Sequence, residues 1–464
     1  MEQDANKSLR LLSKFANFVF IVGLAFCLLV IIYLIFKLYN PTYLPNIGNK
    51  SIEKFYIIGS ISFSFFGILL LFGLFKFTIN TKINLSLIFV SIFVSIYVVE
   101  VFLHLTKKDF REIVAKKNQI DFDSRTRLQV IDDFLRKNVT AYPNVFPSAF
   151  LSSNGLNSEN ERIYPLGGIS NSKIVLCNES GKWSIYESDE YGFNNPKGSF
   201  NKNKIDIILV GDSTTEGACV DPFDNVTANL RKYGFTAASI GKSGNGPLLE
   251  FASLIEYGVP FEPKIVLWMY CFCDFEELKK ERAPMLKRYL NEKNFSQNLI
   301  ERQDEIDSVL KKYALNEQEK ERFDKTPFIK IFKLYNLRKK LKLVPTVNKI
   351  SNESSDEENK KLFKEIISKS KKITENWKGK IYFVYLPAYT KYTTGQNYPK
   401  KNIVIDIINK LNIPIIDLHE EVFKMHKDPI SLYPLRISGH YTPEAYSLMS
   451  KAIKDRLVND GYLQ

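Results

Sequence analysis

Cysteine and histidine are scarce in this chain, with 5 and 4 copies among 464 residues. So few cysteines exclude a small fold held together by disulfides. The absence of a Cys-x-x-Cys pair argues against a structural zinc site. Hydrophobic residues make up 45% of the chain, which excludes a disordered protein. The length predicts more than one structural unit, and we expect neither a metal nor a cofactor.

A basic patch interleaved with aromatic residues is also missing, although 64 Lys and Arg against 51 Asp and Glu give a net charge of +13. The positive charge is instead spread through lysine-rich segments. The composition therefore predicts no nucleic-acid partner. Lysines next to apolar segments are better suited to anionic lipid.

Long apolar runs are concentrated at the start of the chain. About 20 apolar residues span the hydrocarbon of a bilayer as a helix, and only a helix satisfies every backbone group of one segment there. Buried helices of a soluble domain are the alternative, which the lack of any polar face disfavours. The first run is too long for a signal peptide and lacks its cleavage site, so we expect it to stay attached. The three predicted transmembrane helices are Phe15–Phe36, Phe55–Phe75 and Ile83–Val99, the last continuing to Leu105.

The three helices define residues 1–108 as a predicted membrane domain. The charged residues around the helices leave the orientation of this domain open. Glu100 lies inside the third helix, and we expect it to face other helices or the membrane interface. Lys7, Arg10 and Lys14 favour a cytoplasmic N-terminus. The basic run between Lys107 and Lys117 contradicts a simple count of positive charges.

Beyond residue 106, short apolar runs alternate with amphipathic helical patterns. This alternation predicts an α/β sheet with helices on both faces, whose ligands bind at the carboxyl ends of the strands. Phe275–Gly379 is a predicted helical insertion, and its polar segment Ser351–Lys360 is a predicted mobile loop. The predicted strands are Ile205–Val210, Ile265–Tyr270, Ile381–Leu386 and Ile413–Leu418, and the clearest helices are Lys361–Asn376, Asn402–Leu411 and Pro443–Leu457.

A Gly-Asp-Ser sequence directly follows the first of these strands and places Ser213 at its carboxyl end. A serine hydroxyl is a weak nucleophile unless a base activates it. His440 is the best candidate base, because it precedes a helix that Thr442 is predicted to cap. His419 and His426 are expected to be ordinary surface residues.

Three blocks of the sequence resemble the SGNH/GDSL hydrolase superfamily. Gly211-Asp212-Ser213, with Glu216-Gly217 after it, is similar to the first block, Gly241–Pro247 to the second, and His440 to the histidine of the last. The resemblance spans about residues 170–464. Upstream, Asp189–Pro196 is similar to a lead-in found in membrane-attached members associated with envelope polysaccharides.

This resemblance implies the domain organisation and the roles of the site residues. Residues 205–464 would form a flavodoxin-like parallel-sheet hydrolase domain with a helical insertion at about 276–379, and residues 109–204 a linker and lead-in region. Ser213 would be the nucleophile and His440 its base. The N–H groups of Ser213 and Gly244 would form the oxyanion hole.

Two departures from the family pattern concern the oxyanion hole and the orienting acid. Cys273 stands where the family has an asparagine that donates to the oxyanion, and a thiol is a weaker donor than an amide. Ile437 stands where the family has an aspartate, three residues before the histidine. The orienting carboxylate would then come from Asp428 or Asp417, or be absent and leave a Ser–His dyad.

Cysteines 271 and 273 form a Cys-x-Cys pair, whose two side chains share one face of a strand. Metal binding is one interpretation of such a pair. Buried core cysteines are the interpretation that the sequence favours, because no other cysteine or histidine cluster lies nearby.

The sequence and the resemblance together predict a membrane-anchored serine esterase or O-acyltransferase. Its substrate would be an ester of an envelope glycan or of a lipid-linked molecule, and its partners the lipid bilayer and a membrane acyltransferase. The alternative is a catalytically inactive SGNH module that binds a glycan or a membrane partner. The family-like setting implies a multi-pass protein of the cell membrane, with the soluble domain on the extracytoplasmic side.

Overall fold

The computed structural model describes residues 2–39, 50–159, 161–200, 205–341, 343, 353–395 and 400–462. The chain divides into two compact units. The membrane unit comprises Met1–Lys107 and Phe323–Ile350, and the α/β unit comprises Lys108–Arg322 and Ser351–Gln464.

Helices account for most of the described residues, and strands are short. The α-helices are α1 Glu2–Tyr39, α2 Lys50–Leu74, α3 Ile79–Thr106, α4 Phe110–Lys117, α5 Arg127–Arg136, α6 Ser213–Glu216, α7 Val226–Lys232, α8 Pro247–Tyr257, α9 Asp274–Glu277, α10 Pro284–Asn291, α11 Gln303–Lys325, α12 Pro327–Phe332, α13 Tyr335–Lys340, α14 Glu353–Asn376, α15 Thr390–Thr393, α16 Lys401–Lys410 and α17 Pro443–Asn459. The strands are β1 Ala141–Pro143, β2 Leu156–Asn157, β3 Arg162–Ile163, β4 Lys173–Asn178, β5 Trp183–Glu187, β6 Ile207–Gly211, β7 Ala237–Ser239, β8 Ile265–Cys271, β9 Lys380–Leu386 and β10 Ile415–Asp417.

The three helices at the start of the membrane unit are long and apolar enough to cross a bilayer. Their candidate spans are Lys7–Phe36, Ile57–Leu74 and Ile79–Thr106. Most of the side chains described within these spans are exposed, as suits helices whose outer surface meets lipid. The three predicted apolar helices are therefore confirmed, and the protein is membrane-associated.

A five-stranded parallel sheet forms the centre of the α/β unit, in the order β10-β9-β8-β6-β7. Apolar residues fill these strands because parallel strands are covered on both faces. Ile208 and Val210 of β6 face one core, which contains Trp268, whereas Ile207 and Leu209 face the other. The four predicted strands all form, and β7 is a fifth that its three small residues did not reveal.

Residues 109–204 were expected to be a linker, and the structure corrects this expectation. The strands β1, β4 and β5 form a sheet in which β4 is parallel to β1 and antiparallel to β5. Tyr164 and Phe193 are fully buried in the same core as Trp268. Because these large aromatic residues bury their surface against the parallel sheet, the segment is part of the α/β unit.

The predicted mobile loop Ser351–Lys360 is also corrected. Residues 351 and 352 lie outside the described residues, and α14 begins at Glu353. The polar sequence is helical because Asn359 is buried and donates a hydrogen bond of 2.9 Å to the carbonyl oxygen of Phe275.

Candidate active site

Ser213 lies at the carboxyl edge of the sheet, where β6 ends and α6 begins. The Asp212 carboxylate accepts a hydrogen bond of 2.9 Å from the Thr214 N–H, which caps the helix and makes Ser213 its first residue. Gly211 permits the tight turn. A Cβ at this position would lie 2.1 Å from Thr215 Oγ1 and 2.8 Å from the Met269 carbonyl oxygen.

His440 reaches Ser213 from the loop before α17. The Thr442 hydroxyl accepts a hydrogen bond of 3.3 Å from the Ala445 N–H, so the predicted cap fixes where this loop ends. His440 Nε2 lies 2.8 Å from Ser213 Oγ. The structure therefore brings together the hydroxyl and the imidazole on which the predicted mechanism depends.

Glu179 is the carboxylate beside the other nitrogen of the histidine. Its Oε2 lies 3.2 Å from His440 Nδ1 and accepts a hydrogen bond of 2.7 Å from the His440 backbone N–H. Arg111 holds the second oxygen, Oε1, at 2.9 Å. Glu179 follows β4, so the segment that was expected to be a linker supplies the third member of the constellation.

The expectation that Asp428 or Asp417 orients His440 is corrected by this arrangement. Asp428 forms an ion pair with Arg436. Asp417 forms one with Lys401 at 2.6 Å. Both carboxylates are thus engaged elsewhere. Sequence reasoning missed Glu179 because it lies 261 residues before His440 and follows no family motif.

The charges of Glu179 and His440 stabilise each other. Burial opposes ionisation of Glu179, but the hydrogen bond and charge of His440, together with the charge of Arg111, outweigh it and lower the pKa of Glu179 to about 2. Burial also opposes the charged form of His440. The hydrogen bond and charge of Glu179, with the charge of Asp212, nevertheless raise the pKa of His440 above its ordinary value.

Gly244 adopts a left-handed backbone conformation, with φ of +75°. A Cβ at this position would lie 2.6 Å from Ser148 Oγ, and an L side chain is strained at this φ, so glycine is favoured here. Ser213 is in the first turn of α6, where backbone N–H groups have no acceptor within the helix. Backbone donors therefore occur at both positions that the family resemblance assigns to the oxyanion hole.

A buried ion pair joins α6, which carries Ser213, to the loop that carries Gly244. Lys242 Nζ lies 2.6 Å from Glu216 Oε1, and the two side chains are 1% and 0% exposed. Glu216 Oε2 accepts a hydrogen bond of 2.8 Å from the Ser243 N–H. Asn144 and Tyr186 complete the network around both charges. The ion pair therefore fixes the loop that carries Gly244 against α6.

Cys271 is the last residue of β8 and Cys273 lies two residues beyond it, in the turn before α9, with the two sulfur atoms 3.0 Å apart. The hydrogen bond with Cys273 and burial together raise the pKa of Cys271 well above its ordinary value. Potential metal-ligand atoms of these two cysteines, Asp212 and Asp274 lie within 4.8 Å of one another. Asp212 and Asp274 each already accept a backbone N–H bond, which accounts for their positions without an ion.

A disulfide between Cys177 and Cys219 lies next to the histidine. Cys177 is two residues before Glu179, and Cys219 Sγ lies 3.8 Å from His440 Nδ1. The bond ties the end of β4 to the loop after α6, and so joins the segment bearing Glu179 to the segment bearing Ser213.

Removing this disulfide is expected to lower the free energy of unfolding by about 2–4 kcal/mol, because the bond constrains a loop of 42 residues in the unfolded chain. The measurement is thermal unfolding of the Cys177→Ser, Cys219→Ser double variant, followed by tryptophan fluorescence. All three tryptophans, 183, 268 and 377, lie in the α/β unit. Cys27→Ser, in α1, is the control. Equal unfolding temperatures of the double variant and the oxidised wild type would contradict the assignment.

No protein-family model matches the sequence, and no curated protein matches it at a significant level. Solved structures of low similarity do match. A lipolytic protein of the G-D-S-L family from Desulfitobacterium hafniense shares 12% identity over 54% of this chain and 97% of its own, with a TM-score of 0.30. A GDSL-like lipase from Bacteroides thetaiotaomicron shares 12% identity over 55% and 88%, with a TM-score of 0.30. LAE5, an alpha/beta hydrolase enzyme from the metagenome of Lake Arreo, shares 11% over 57% and 99%, with a TM-score of 0.32.

These neighbours include GDSL-type proteins, as the three motif blocks predicted. Their identities and TM-scores are low. The chemistry of the site therefore rests on its own geometry.

Proposed function

We propose that this protein is a membrane-anchored serine esterase or O-acyltransferase with the triad Ser213, His440 and Glu179. One observation carries the proposal. A hydroxyl, an imidazole and a carboxylate lie in a continuous line of contacts, at 2.8 Å and 3.2 Å, at the carboxyl edge of a parallel sheet. A structural role alone requires no such line. Nucleophilic catalysis by serine requires a base beside the hydroxyl, and a carboxylate on the far nitrogen orients that base and stabilises its charged form.

Each group has a defined part in acyl transfer. Ser213 Oγ attacks the ester carbonyl carbon while His440 Nε2 takes its proton. Glu179 holds the imidazole by Nδ1 and stabilises the imidazolium that forms. His440 then gives the proton to the departing alcohol, and the acyl group remains on Ser213. Water completes hydrolysis, or a sugar hydroxyl completes transfer, with His440 again acting as the base.

Stabilisation of the oxyanion is assigned to the N–H groups of Ser213 and Gly244. Cys273 stands where the family has an amide donor. Its thiol is a weaker donor and lies 3.0 Å from Cys271 Sγ, with which it forms a hydrogen bond. Removal of one donor in comparable sites costs about 10²–10³ in rate. We therefore expect slower turnover than a site with three strong donors would give.

The anchor supports a substrate class and a location. Three apolar helices hold the α/β unit at a membrane, which favours an ester of an envelope glycan or of a lipid-linked molecule, with a membrane acyltransferase as a donor partner. The strand order supports a flavodoxin-like description of the domain. The Cys177–Cys219 disulfide supports the extracytoplasmic side, because disulfides persist in oxidising compartments.

A catalytically inactive module that binds a glycan or a membrane partner is the second candidate. The weak donor at Cys273 favours it. The aligned Ser213, His440 and Glu179 count against it, since binding alone requires none of these contacts.

Turnover of p-nitrophenyl acetate by the full-length protein in detergent separates the two candidates. We expect hydrolysis by the wild type and the loss of at least 99% of it in Ser213→Ala. Ser431→Ala is the matched control, because this half-buried hydroxyl donates to the Asp428 carbonyl oxygen and not to a member of the triad. An inactive wild type with a normal unfolding transition would favour the binding module.

A further inference from the structure

Glu100 is fully buried in the membrane unit although it lies within a candidate membrane span. Its Oε1 accepts hydrogen bonds from the backbone N–H and the side-chain amide of Asn336, at 3.0 and 2.9 Å. Its Oε2 accepts one of 2.7 Å from the Leu337 N–H. A carboxylate that is costly in lipid is thus used to hold the start of α13 against α3.

The chain around α13 lies along the carboxyl-terminal end of α3. We call Pro327–Leu341, which contains α12 and α13, the juxtamembrane arm. The Tyr97 hydroxyl donates to the Phe332 carbonyl oxygen at 3.2 Å, and Lys107 Nζ lies 5.6 Å from the centre of the Tyr335 ring. Tyr97 and Lys107 are ten residues apart, so the contacts extend over about 15 Å of helix. The arm therefore lies beside the carboxyl-terminal end of the candidate span Ile79–Thr106.

Several large apolar side chains on the arm are exposed among the residues that the structure describes. Phe328 and Phe332 are 70% and 62% exposed, and their rings stack with centres 6.3 Å apart. Leu341, at the end of the arm, is 59% exposed. On α3, Phe102 and Leu105 are exposed at the same end of the span. Apolar surface of this kind is stabilised by contact with lipid.

Positive charge accompanies this apolar surface. Together with the four residues before it, Phe323–Thr326, the arm contains six basic residues and one acidic residue. The acidic residue, Asp324, forms an ion pair with Lys333 at 2.8 Å. Burial and the positive charges of Lys107 and Lys325 lower the pKa of Lys330. Cations crowded in this way favour a nearby anion. The basic residues are Lys325, Lys330, Lys333, Arg338, Lys339 and Lys340.

We propose that the juxtamembrane arm is an interfacial membrane-binding element, which inserts Phe328 and Phe332 at the headgroup level and binds anionic phospholipid headgroups through its lysines and arginine. Short amphipathic segments with aromatic residues and a basic face bind membrane surfaces in this way. The anchor is thereby extended from three apolar helices to a fourth contact with the leaflet at the carboxyl end of α3. This proposal is independent of the esterase proposal.

Lipid is favoured over a second protein as the occupant of this surface. The contacts with Glu100 and Tyr97 hold the arm against α3. This helix is a candidate membrane span, so lipid is expected around it. A protein partner would require no excess of positive charge, whereas the surface of an anionic leaflet is complementary to it.

Quenching of tryptophan fluorescence by brominated lipid tests the proposal. The full-length Phe328→Trp variant would be reconstituted in vesicles of brominated phosphatidylcholine containing one third phosphatidylglycerol. Phe223→Trp is the matched control, because Phe223 is also 70% exposed but belongs to the α/β unit. The wild type supplies the background of the three native tryptophans. We expect the added tryptophan at position 328 to lose at least half of its emission, and that at position 223 to lose little.

Charge reversal tests the headgroup contact separately. Arg338→Glu with Lys339→Glu, introduced into the Phe328→Trp variant, is expected to reduce the quenching at least twofold, as is omission of phosphatidylglycerol. If quenching at position 328 is no greater than at position 223, membrane insertion is overturned. Exposure of the arm to water and cover by a protein would both give this result. Quenching that is insensitive to both charge changes would overturn recognition of anionic headgroups.

Discussion

Glu179→Gln is expected to lower kcat for ester hydrolysis by about 10⁴-fold, the loss found when the acid of a serine triad is replaced by its amide. The amide would keep the shape of the side chain but would remove the charge that stabilises the imidazolium of His440. The measurement is steady-state hydrolysis of p-nitrophenyl acetate by full-length protein. Asp428→Asn and Asp417→Asn are matched controls, because their carboxylates pair with Arg436 and Lys401.

The pH profile of the same variant separates an electrostatic role from a structural one. His440 must be neutral to act as a base, so activity is lost as the pH falls through its pKa. Glu179 raises that pKa. Removing its charge should therefore shift the acid limb of kcat/KM to lower pH. An unshifted limb, or a larger effect in Asp428→Asn, would contradict the role of Glu179.

Lys242→Met is expected to lower the free energy of unfolding by about 3–5 kcal/mol, because it leaves Glu216 as an uncompensated buried charge. In the wild type, burial opposes the ionisation of Glu216. The charge and hydrogen bond of Lys242 outweigh this effect and lower the pKa of Glu216. The measurement is thermal or chemical unfolding of the α/β unit in the full-length protein, monitored by its tryptophans.

Two further variants show whether the buried charge is the cause. Adding Glu216→Gln to Lys242→Met should recover part of the lost stability, since the isolated charge is gone. Lys232→Met removes a lysine that is 55% exposed and 3.6 Å from Asp224, and should cost less than about 1 kcal/mol. Equal losses in Lys242→Met and Lys232→Met would contradict the account of the network.

Much of the fold could be predicted because its signals are local. The membrane helices follow from uninterrupted apolar runs, and the strands β6, β8, β9 and β10 from short apolar runs between helical patterns. The strands before residue 200 do not alternate with helical patterns in this way, because β1, β2 and β3 are only two or three residues long and four residues separate β4 from β5. Residues such as Ile174 and Tyr186 are buried by contacts with distant parts of the chain, which an apolar pattern does not record.

The candidate site could be predicted only in part, for the same reason. Ser213 and His440 stand in short motifs with turn and cap signals around them, so their positions can be recognised in the sequence. Glu179 follows a strand of a second sheet, and the fold alone places it beside His440. The burial of the Glu216–Lys242 pair could not be predicted either, since charged residues are usually exposed and nothing in the local sequence marks these two as buried.

Labelling of the full-length protein with a fluorophosphonate, followed by mass spectrometry of its peptides, tests the central claim most directly. The line of contacts from Glu179 through His440 to Ser213 predicts one adduct, on Ser213, that is lost in His440→Ala while Ser431→Ala labels normally. Absence of an adduct on Ser213 in folded protein, or undiminished labelling of His440→Ala, would contradict the claim.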